Sequence, residues 1–356
     1  MFAKKTLVAV AALLAAAGAA QAESSVKLYG YVDAAVGSYQ NYNLATGKVD
    51  RTTEVSTGNM MTSFVGLSGS EDLGGGLKAE FTLESFLATD TGSTLTNMAG
   101  GFWGRASWVG LSGNFGRVIL GQYDNALFTY GLLYNPFGSS MVFSPTMVSY
   151  YGLSGTVFGT GSLASAGYDT GWVNSVTYET PNFGGFTASA QFAPKETTAA
   201  GDAKNSYALS AAYNAGPLSV MGVYTESGKT GPAYIARQKN WGLGASYDLG
   251  VVKLMGQYSV IKDTTAGADG KAKFFQLGAS VPVTAQGNLM ASYGQTKYDK
   301  FYGFNDGKLQ QFSLGYDYSL SKRTGVYAAV TSKKLKDVGL IDETATTYAV
   351  GLRHAF

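Results

Sequence analysis

The side chains most able to take part in chemistry are charged residues that alternate with apolar ones. In the segment Leu77–Leu87, lysine and glutamates occupy one parity, and leucine, alanine and phenylalanine occupy the other. Fixed charges of this kind attract or repel ions, most strongly in a narrow passage whose low-dielectric walls limit screening. The charged residues predicted to face water are Asp33, Lys78, Glu80, Glu84 and Arg105, with Asp124 at the root of the following loop.

Two interpretations of these charges stay open. Three acids against two bases, with Asp124 nearby, predict a modest preference for cations or almost none, because rings of charged side chains set ion preference. Alternatively, the charges pair with one another and only solvate the wall. The sequence alone does not decide between the two.

Catalytic and metal-binding side chains are scarce. His354 is the only histidine and there is no cysteine, which leaves no second imidazole or thiolate for a metal and few partners for a proton relay. Gly228-Lys229-Thr230 has neither the spacing nor the following helix of a phosphate-binding loop, and no Gly-x-Ser-x-Gly occurs. We therefore predict no enzyme activity, no cofactor and no metal.

Period-2 alternation predicts the elements that position these charges. A strand points successive side chains to opposite faces, so Leu77–Leu87 has one apolar and one wet face. The glycine-rich residues 71–76 before it form a turn. Similar short turns recur at 113–116, 181–185, 214–217, 248–250, 284–287 and 319–323. Seven short turns join fourteen strands, and one more at each end makes sixteen.

The amino-terminal residues predict export. Residues 1–22 combine two lysines, an apolar run and Ala20-Gln21-Ala22, which is typical of a cleaved signal peptide; a buried terminal helix is the alternative. Without Lys4 and Lys5, 24 of the 26 Lys and Arg residues remain against 24 acids. A neutral chain argues against a nucleic-acid partner. Residues 23–356 are predicted to form one domain.

The composition favours an all-β membrane protein. The chain has 24 Tyr, 19 Phe and only 14% charged residues, against about a quarter in soluble domains. Its mean hydropathy of zero excludes a helical membrane bundle but fits a barrel whose faces alternate. We predict an antiparallel transmembrane β-barrel of sixteen strands with short periplasmic turns and long outer loops. The polar residues 41–59 and 333–344 are among the predicted loops. Phe356 would end its closing strand on the apolar face, at a membrane interface.

One predicted connection between strands differs from the others in length and composition. Residues 124–169 are far longer than the other loops, and residues 125–168 carry no charge. A long loop with its own packing material is usually functional, and inside a wide barrel it could fold inward and narrow the bore. Its aromatic residues could stack on sugars or aromatic solutes, or instead pack the loop against the wall or a neighbouring subunit. The candidates are Phe128, Tyr130, Tyr134, Phe137, Tyr150 and Tyr151.

Six segments carry a resemblance to a known family. They are residues 28–33, 69–79, 109–116, 174–181, 319–324 and 351–356. In this order they resemble the general porins of Gram-negative outer membranes, in the subgroup related to anion-selective trimeric porins. The resemblance implies a homotrimer in contact with membrane lipids and lipopolysaccharide, a third loop inside the pore, and passive diffusion of small hydrophilic solutes.

The departures from that family bear on selectivity. Phe64 and Ser68 stand where relatives usually carry an arginine and a lysine, and Gln122 stands where an arginine is common. Arg105 alone matches a customary wall arginine. Because such residues form the basic ladder of the related channels, we expect weak ion selectivity, with tolerance for neutral or amphipathic solutes.

The competing function is a non-conducting structural barrel or adhesin. It predicts no conductance in planar bilayers and no swelling of solute-loaded liposomes, whereas a channel predicts both. Within the channel class, solute-specific block of current would separate a substrate-specific pore from a general one.

Overall fold

A computed structural model describes residues 25–43, 46, 48–95, 101–152, 170–195, 204–228, 238–264, 270–300, 307–338 and 341–356. Residues 1–22, the predicted signal peptide, lie outside this range. The strands are β1 Ser25–Asn43, β2 Lys48–Thr57, β3 Phe64–Gly74, β4 Leu77–Leu87, β5 Thr94–Leu95, β6 Ala106–Gly113, β7 Gly116–Asp124, β8 Gly171–Glu179, β9 Phe186–Ala193, β10 Ser206–Ala215, β11 Leu218–Ser227, β12 Gln238–Asp248, β13 Lys253–Asp263, β14 Lys271–Pro282, β15 Gly287–Asp299, β16 Lys308–Ser319, β17 Thr324–Val338 and β18 Ile341–Ala355.

These eighteen segments form a closed antiparallel barrel of sixteen strand positions. The first half of β1 pairs with β3 and its second half with β2, so β2 and β3 are one interrupted strand position. In the same way, β5 and β6 both pair with β4. The barrel closes where β1 pairs with β18, and Phe356 exchanges backbone hydrogen bonds with Gly30. The predicted fold is therefore confirmed.

The seven predicted short turns each join two antiparallel neighbours. The turn between β3 and β4 shows why glycine is needed: Gly74, Gly75 and Gly76 have φ of 82°, 63° and 82°. A side chain rarely adopts this left-handed region, whereas glycine does so without steric cost. The glycine run thus reverses the chain within three residues.

The two faces of the sheet differ as the alternation predicts. One parity carries exposed apolar side chains, such as Leu243 at 56% and Leu277 at 63% exposure. The other parity carries small or polar residues, and Gln257, Ser259 and Gln276 are examples. Because a closed barrel satisfies all strand hydrogen bonds within itself, its outer face can be apolar toward lipid while its inner face is wet.

Several strands are longer than the sequence predicted. Residues 41–59 were expected to be a loop, but they contain β2 and the end of β1. Residues 333–344 were also expected to be a loop, but β17 and β18 continue through most of them. The reason is that alternation disappears where both faces of a strand are wet, although the cross-strand hydrogen bonds continue.

The long connection after β7 forms helices. Helix α1 spans Ala126–Leu133, helix α2 spans Pro145–Met147, and one π-helical turn spans Val148–Gly152. The side chain of Asn125 caps α1 by accepting a hydrogen bond from the backbone N–H of Phe128 at 3.1 Å. In the described part of the chain, no helix is long and apolar enough to cross a bilayer.

Candidate functional site

The described part of the long connection, residues 125–152, lies against the inner wall of the barrel; we call it the inner loop. Tyrosine hydroxyls attach it at three points. The Tyr130 hydroxyl donates to the carbonyl oxygen atoms of Leu243 at 3.1 Å and Tyr258 at 2.9 Å. The Tyr150 and Ser259 hydroxyl oxygens lie 2.5 Å apart, and the Tyr134 hydroxyl lies 3.1 Å from Ser219 Oγ.

Two glutamines of the wall hold the middle of the inner loop. Gln257 Nε2 donates to the carbonyl oxygen atoms of Gly131 and Tyr134, both at 3.3 Å, and to Thr146 Oγ1 at 2.7 Å. Gln276 is hydrogen-bonded to the Thr146 hydroxyl. Buried polar groups cost free energy unless they are paired, so these bonds fix where the loop lies.

A row of inward-facing glycines makes room for the inner loop. An added Cβ on Gly242 would lie 2.9 Å from the Tyr130 ring, and one on Gly244 would lie 2.5 Å from the Tyr134 ring. The same holds on later strands, where Gly278 faces Pro136, Gly294 faces Pro145 and Gly315 faces Phe137 at 2.5–2.9 Å. The wall is therefore shaped to receive this loop.

The loop aromatics pack toward the wall. Tyr130, Tyr134, Phe137 and Tyr150 are at most 2% exposed and Phe128 is 7% exposed, while Tyr151 is half-buried. Phe128 and Tyr151 are also in edge contact, with centroids 6.1 Å apart. The less buried side chains of the loop include several apolar ones: Leu133 is 46% exposed, and Leu132, Met141 and Val142 are half-buried.

Arg105 and Glu84 form an ion pair on the inner wall. The guanidinium also lies over the Phe64 ring, 4.0 Å from its centroid. The Tyr29 hydroxyl donates to Glu84 Oε1 at 2.5 Å. Each of the two charges is thereby matched, and Phe64, which stands at a customary arginine position, serves as a platform for the remaining arginine.

Asp33 lies on the inner face but is fully buried. Its carboxylate accepts hydrogen bonds from the backbone N–H groups of Met60 and Met61, both at 2.8 Å, and from the Tyr327 hydroxyl at 2.7 Å. The break between β2 and β3 brings Met60 and Met61 into place. Three donors satisfy this charge, which the sequence suggested would face water.

Two further arginines of the inner wall are paired. Arg117 lies 3.0 Å from the Glu179 carboxylate, and the Tyr123 hydroxyl donates to the same carboxylate at 2.8 Å. Arg353 is paired with Asp317. These pairs could not be predicted from the sequence, because the partners lie 62 and 36 positions apart in the chain and only the folded strands bring them together.

The remaining candidates are spread over the wall. Ser68 and Glu80 line a cavity of about 270 Å³ together with Arg117, and Lys78 is exposed opposite Asp72 in the adjoining strand. Gln122 is buried and donates to the carbonyl oxygen of Gly104. Asp124 is half-buried at the end of β7, opposite Gly171. The described residues include no cluster of three potential metal ligands.

Comparisons with known proteins agree with this architecture. The family model for Gram-negative porins matches residues 9–338. The chain belongs to the Gram-negative porin family. Outer membrane porin protein 32 of Delftia acidovorans is 37% identical to this porin over 379 residues, covering 99% of this chain and 100% of the relative. An outer membrane porin protein of Bordetella pertussis is 31% identical over 407 residues, covering 99% of this chain and 100% of the relative.

Solved structures place the porin in the same group. An anion-selective porin from Comamonas acidovorans superposes with a TM-score of 0.77 at 33% identity, covering 94% of this chain and 100% of that one. A trimer form of OmpT of Vibrio cholerae has a TM-score of 0.64 at 16% identity, covering 94% of this chain and 99% of that one. This similarity concerns the fold alone. The protein is thus an outer-membrane channel for passive diffusion and not an enzyme.

Proposed function

We propose that this porin is a weakly ion-selective homotrimeric channel that passes small hydrophilic solutes and tolerates neutral or amphipathic ones. The observation that carries the proposal is the pairing of Arg105, Arg117 and Arg353 with carboxylates of nearby strands. An ion in the bore then meets compact pairs of opposite charge rather than a ladder of like charges. The field of such a pair falls off faster than that of a single charge.

The contrast with the anion-selective relative supports the proposal. The resemblance associates anion attraction with unpaired basic side chains, and Phe64, Ser68 and Gln122 occupy three of those positions here. Phe64 is 7% exposed beneath Arg105, and Gln122 is bonded to the backbone. None of the three can contribute a positive charge. Weak selectivity follows, because fixed charges on the wall set ion preference.

The inner loop supports the tolerance for neutral solutes. Most of its rings pack against the wall, and its less buried side chains include the apolar Leu132, Leu133, Met141 and Val142. A second surface lies beside Leu133, where hydroxyl and amide side chains such as Thr177, Ser189 and Asn214 line a cavity of about 370 Å³. An apolar edge beside hydrogen-bonding groups suits solutes that have both apolar surface and polar groups.

The pore lining in this proposal combines wall and loop. We assign Ser68, Lys78, Glu80, Glu84 and Arg105 to the wet wall, with Phe64 supporting Arg105. Asp33 and Gln122 shape the wall from buried positions, and Asp124 begins the inner loop. Homotrimer formation is supported by the trimer form of a structural neighbour. Membrane lipids and lipopolysaccharide are the partners that we propose for the apolar outer face.

Liposome swelling tests this proposal. Full-length protein is reconstituted and challenged with neutral, anionic and cationic solutes of closely matched size. We expect comparable swelling rates for all three, with the neutral solute at least as fast as the others. Swelling that is much faster with the anionic solute would contradict weak selectivity, and no swelling at all would contradict the channel.

A further inference from the structure

The inward-facing side chains of β8–β11 form a polar stretch of wall opposite the first helix of the inner loop. The register sets them beside one another in rows: Thr177 pairs with Gln191, and Ser189 pairs with Ser210. Together with α1, this wall bounds a space of about 370 Å³, which we call the polar cavity. Its volume lies within the range of about 300–1,000 Å³ that is usual for small-molecule sites.

Two buried side chains that line the polar cavity have polar atoms without a partner. Thr177 is 3% exposed and Gln191 is 5% exposed, and among the described residues neither Thr177 Oγ1 nor Gln191 Oε1 has a hydrogen-bond partner. The amide nitrogen of Gln191 donates to the carbonyl oxygen of Tyr123 at 3.1 Å and to Ser175 Oγ at 3.2 Å, which fixes the side chain. Because an unpaired buried polar atom costs free energy, a ligand that supplies the partner is favoured.

More accessible hydroxyl and amide groups extend this polar surface. The Oγ atoms of Ser189 and Ser210 lie 2.7 Å apart, and both residues are half-buried at the cavity. One hydrogen serves the bond between them, so the pair keeps one donor and several acceptor lone pairs. Thr187 and Asn214 line the cavity as well. All four side chains can both donate and accept, which matches a solute whose own hydroxyl groups do the same.

The charges around the polar cavity do not favour an ionic ligand. Glu179 lines the cavity but lies 3.0 Å from Arg117, so its charge is matched, and Asp124 is half-buried at the end of β7. No lysine or arginine of the described residues lines the cavity. An anion would lose water there without meeting a positive group, which costs free energy. Leu133 and Met221 offer apolar surface that can cover the C–H groups of a neutral solute.

We propose that the polar cavity binds neutral polyhydroxylated solutes, such as sugar alcohols and monosaccharides, on their way through the channel. The inference rests on the proposed function and deepens it, because it gives the neutral solutes a chemical class and a binding site. The solute hydroxyl groups pair with Thr177, Gln191 and the two serines, while its C–H surface packs on Leu133. Binding of this kind makes the flux of the solute saturable.

Current through single channels in planar bilayers tests the proposal. Full-length protein is measured in a constant excess of potassium chloride with sorbitol, gluconate or N-methylglucamine on both sides. These probes share a six-carbon polyol chain and are neutral, anionic and cationic respectively. We expect sorbitol to lower the mean current and raise its noise in a saturable way. Its apparent affinity should be about tenfold higher than that of either ion, the effect of one favourable polar contact.

Two variants remove hydrogen-bonding groups from the polar cavity. The double variant S189A/S210A should bind sorbitol about tenfold more weakly, because two hydroxyl groups are lost. The variant T177V should also weaken binding, yet its unfolding temperature should stay the same or rise, since the lost hydroxyl has no partner in the free protein. A purely structural role of Thr177 would instead lower the unfolding temperature.

The control S25A/S70A makes the same change in two serines that pair directly between β1 and β3. It should bind sorbitol as the unaltered protein does. Tighter binding of gluconate or N-methylglucamine than of sorbitol would overturn the proposal, and so would equal losses in S25A/S70A and S189A/S210A. A conducting, weakly selective channel without a saturable effect of sorbitol would refute the binding site but not the proposed function, whereas a protein that carries no current would refute both.

Discussion

The Arg105 guanidinium lies 4.0 Å from the centroid of the Phe64 ring while it is paired with Glu84. Phe64 therefore has a structural role in addition to being uncharged. It holds the neighbouring arginine beside its carboxylate, which turns the one customary wall arginine into half of an ion pair. Under the proposed function, the ion selectivity of the pore depends on this arrangement, and replacing either partner should shift the selectivity in a definite direction.

Replacing Glu84 with glutamine should shift permeability toward anions. The amide keeps the shape but leaves the Arg105 charge unmatched. A unit charge about 8 Å away contributes roughly 2 kcal/mol at an effective dielectric constant of about 20, before salt reduces it. The reversal potential in a potassium chloride gradient should move toward the chloride limit by several millivolts or more. Glu71→Gln, at the exposed end of β3, should leave it unchanged.

Restoring the basic residues at positions 64 and 68 should produce a strongly anion-selective pore. The variant F64R/S68K adds two positive charges, which together with Arg105 outnumber the nearby acids Glu80 and Glu84. The expected result is a reversal potential shifted strongly toward the chloride limit, measured on single channels. The control F64L/S68T alters the same positions without charge, and it should resemble the unaltered protein. An unchanged reversal potential for F64R/S68K would mean that these positions do not face the ion path.

Filling the glycine row should displace the inner loop. A Cβ on Gly244 would lie 2.5 Å from the Tyr134 ring, so Gly244→Leu forces α1 off the wall. Overpacking of this kind costs about 1–3 kcal/mol. We expect altered single-channel conductance with frequent current flicker. Gly222 faces outward on the adjacent strand with open space around it, and Gly222→Leu should conduct normally.

The inner loop should hold its position over a wide pH range. Burial raises the pKa of Tyr130 and of Tyr150, because the charged phenolate is poorly solvated there. The neutral phenol is the folded form, so its stabilising effect is complete below the ordinary tyrosine pKa of about 10 and declines as the pH rises above that value. Open-state current noise should therefore stay constant from neutral pH to about pH 10. A transition near pH 8 would contradict this account.

The sequence predicted the barrel because its repeated features are local. Alternation along Leu77–Leu87 and the glycine run at residues 74–76 each depend only on neighbouring residues. The ends of the strands were harder to predict. In β2 both faces are wet, so its sequence does not alternate between apolar and polar residues. The start of helix α1 could have been anticipated from the capping position of Asn125, which precedes the helix formers Ala126 and Leu127.

The candidate site was harder to predict because it depends on register. Nothing local in Glu84 and Arg105 indicates that they pair, or that Asp33 meets Tyr327 across 294 positions of the chain. The sequence also left open whether the aromatic side chains of the inner loop face the bore or pack against the wall or a neighbouring subunit. The alternating glycines Gly242 and Gly244 held a usable signal, since inward glycines on a strand suggest that another segment approaches closely.

The most direct test of the central claim is the reversal potential of the unaltered protein. Single channels in planar bilayers are measured under a tenfold gradient of potassium chloride, for which a perfectly selective pore gives about 59 mV. Paired wall charges predict a potential that is a small fraction of this value, of either sign. A potential close to the full chloride limit would show that unpaired positive charge dominates the bore, and it would contradict the account.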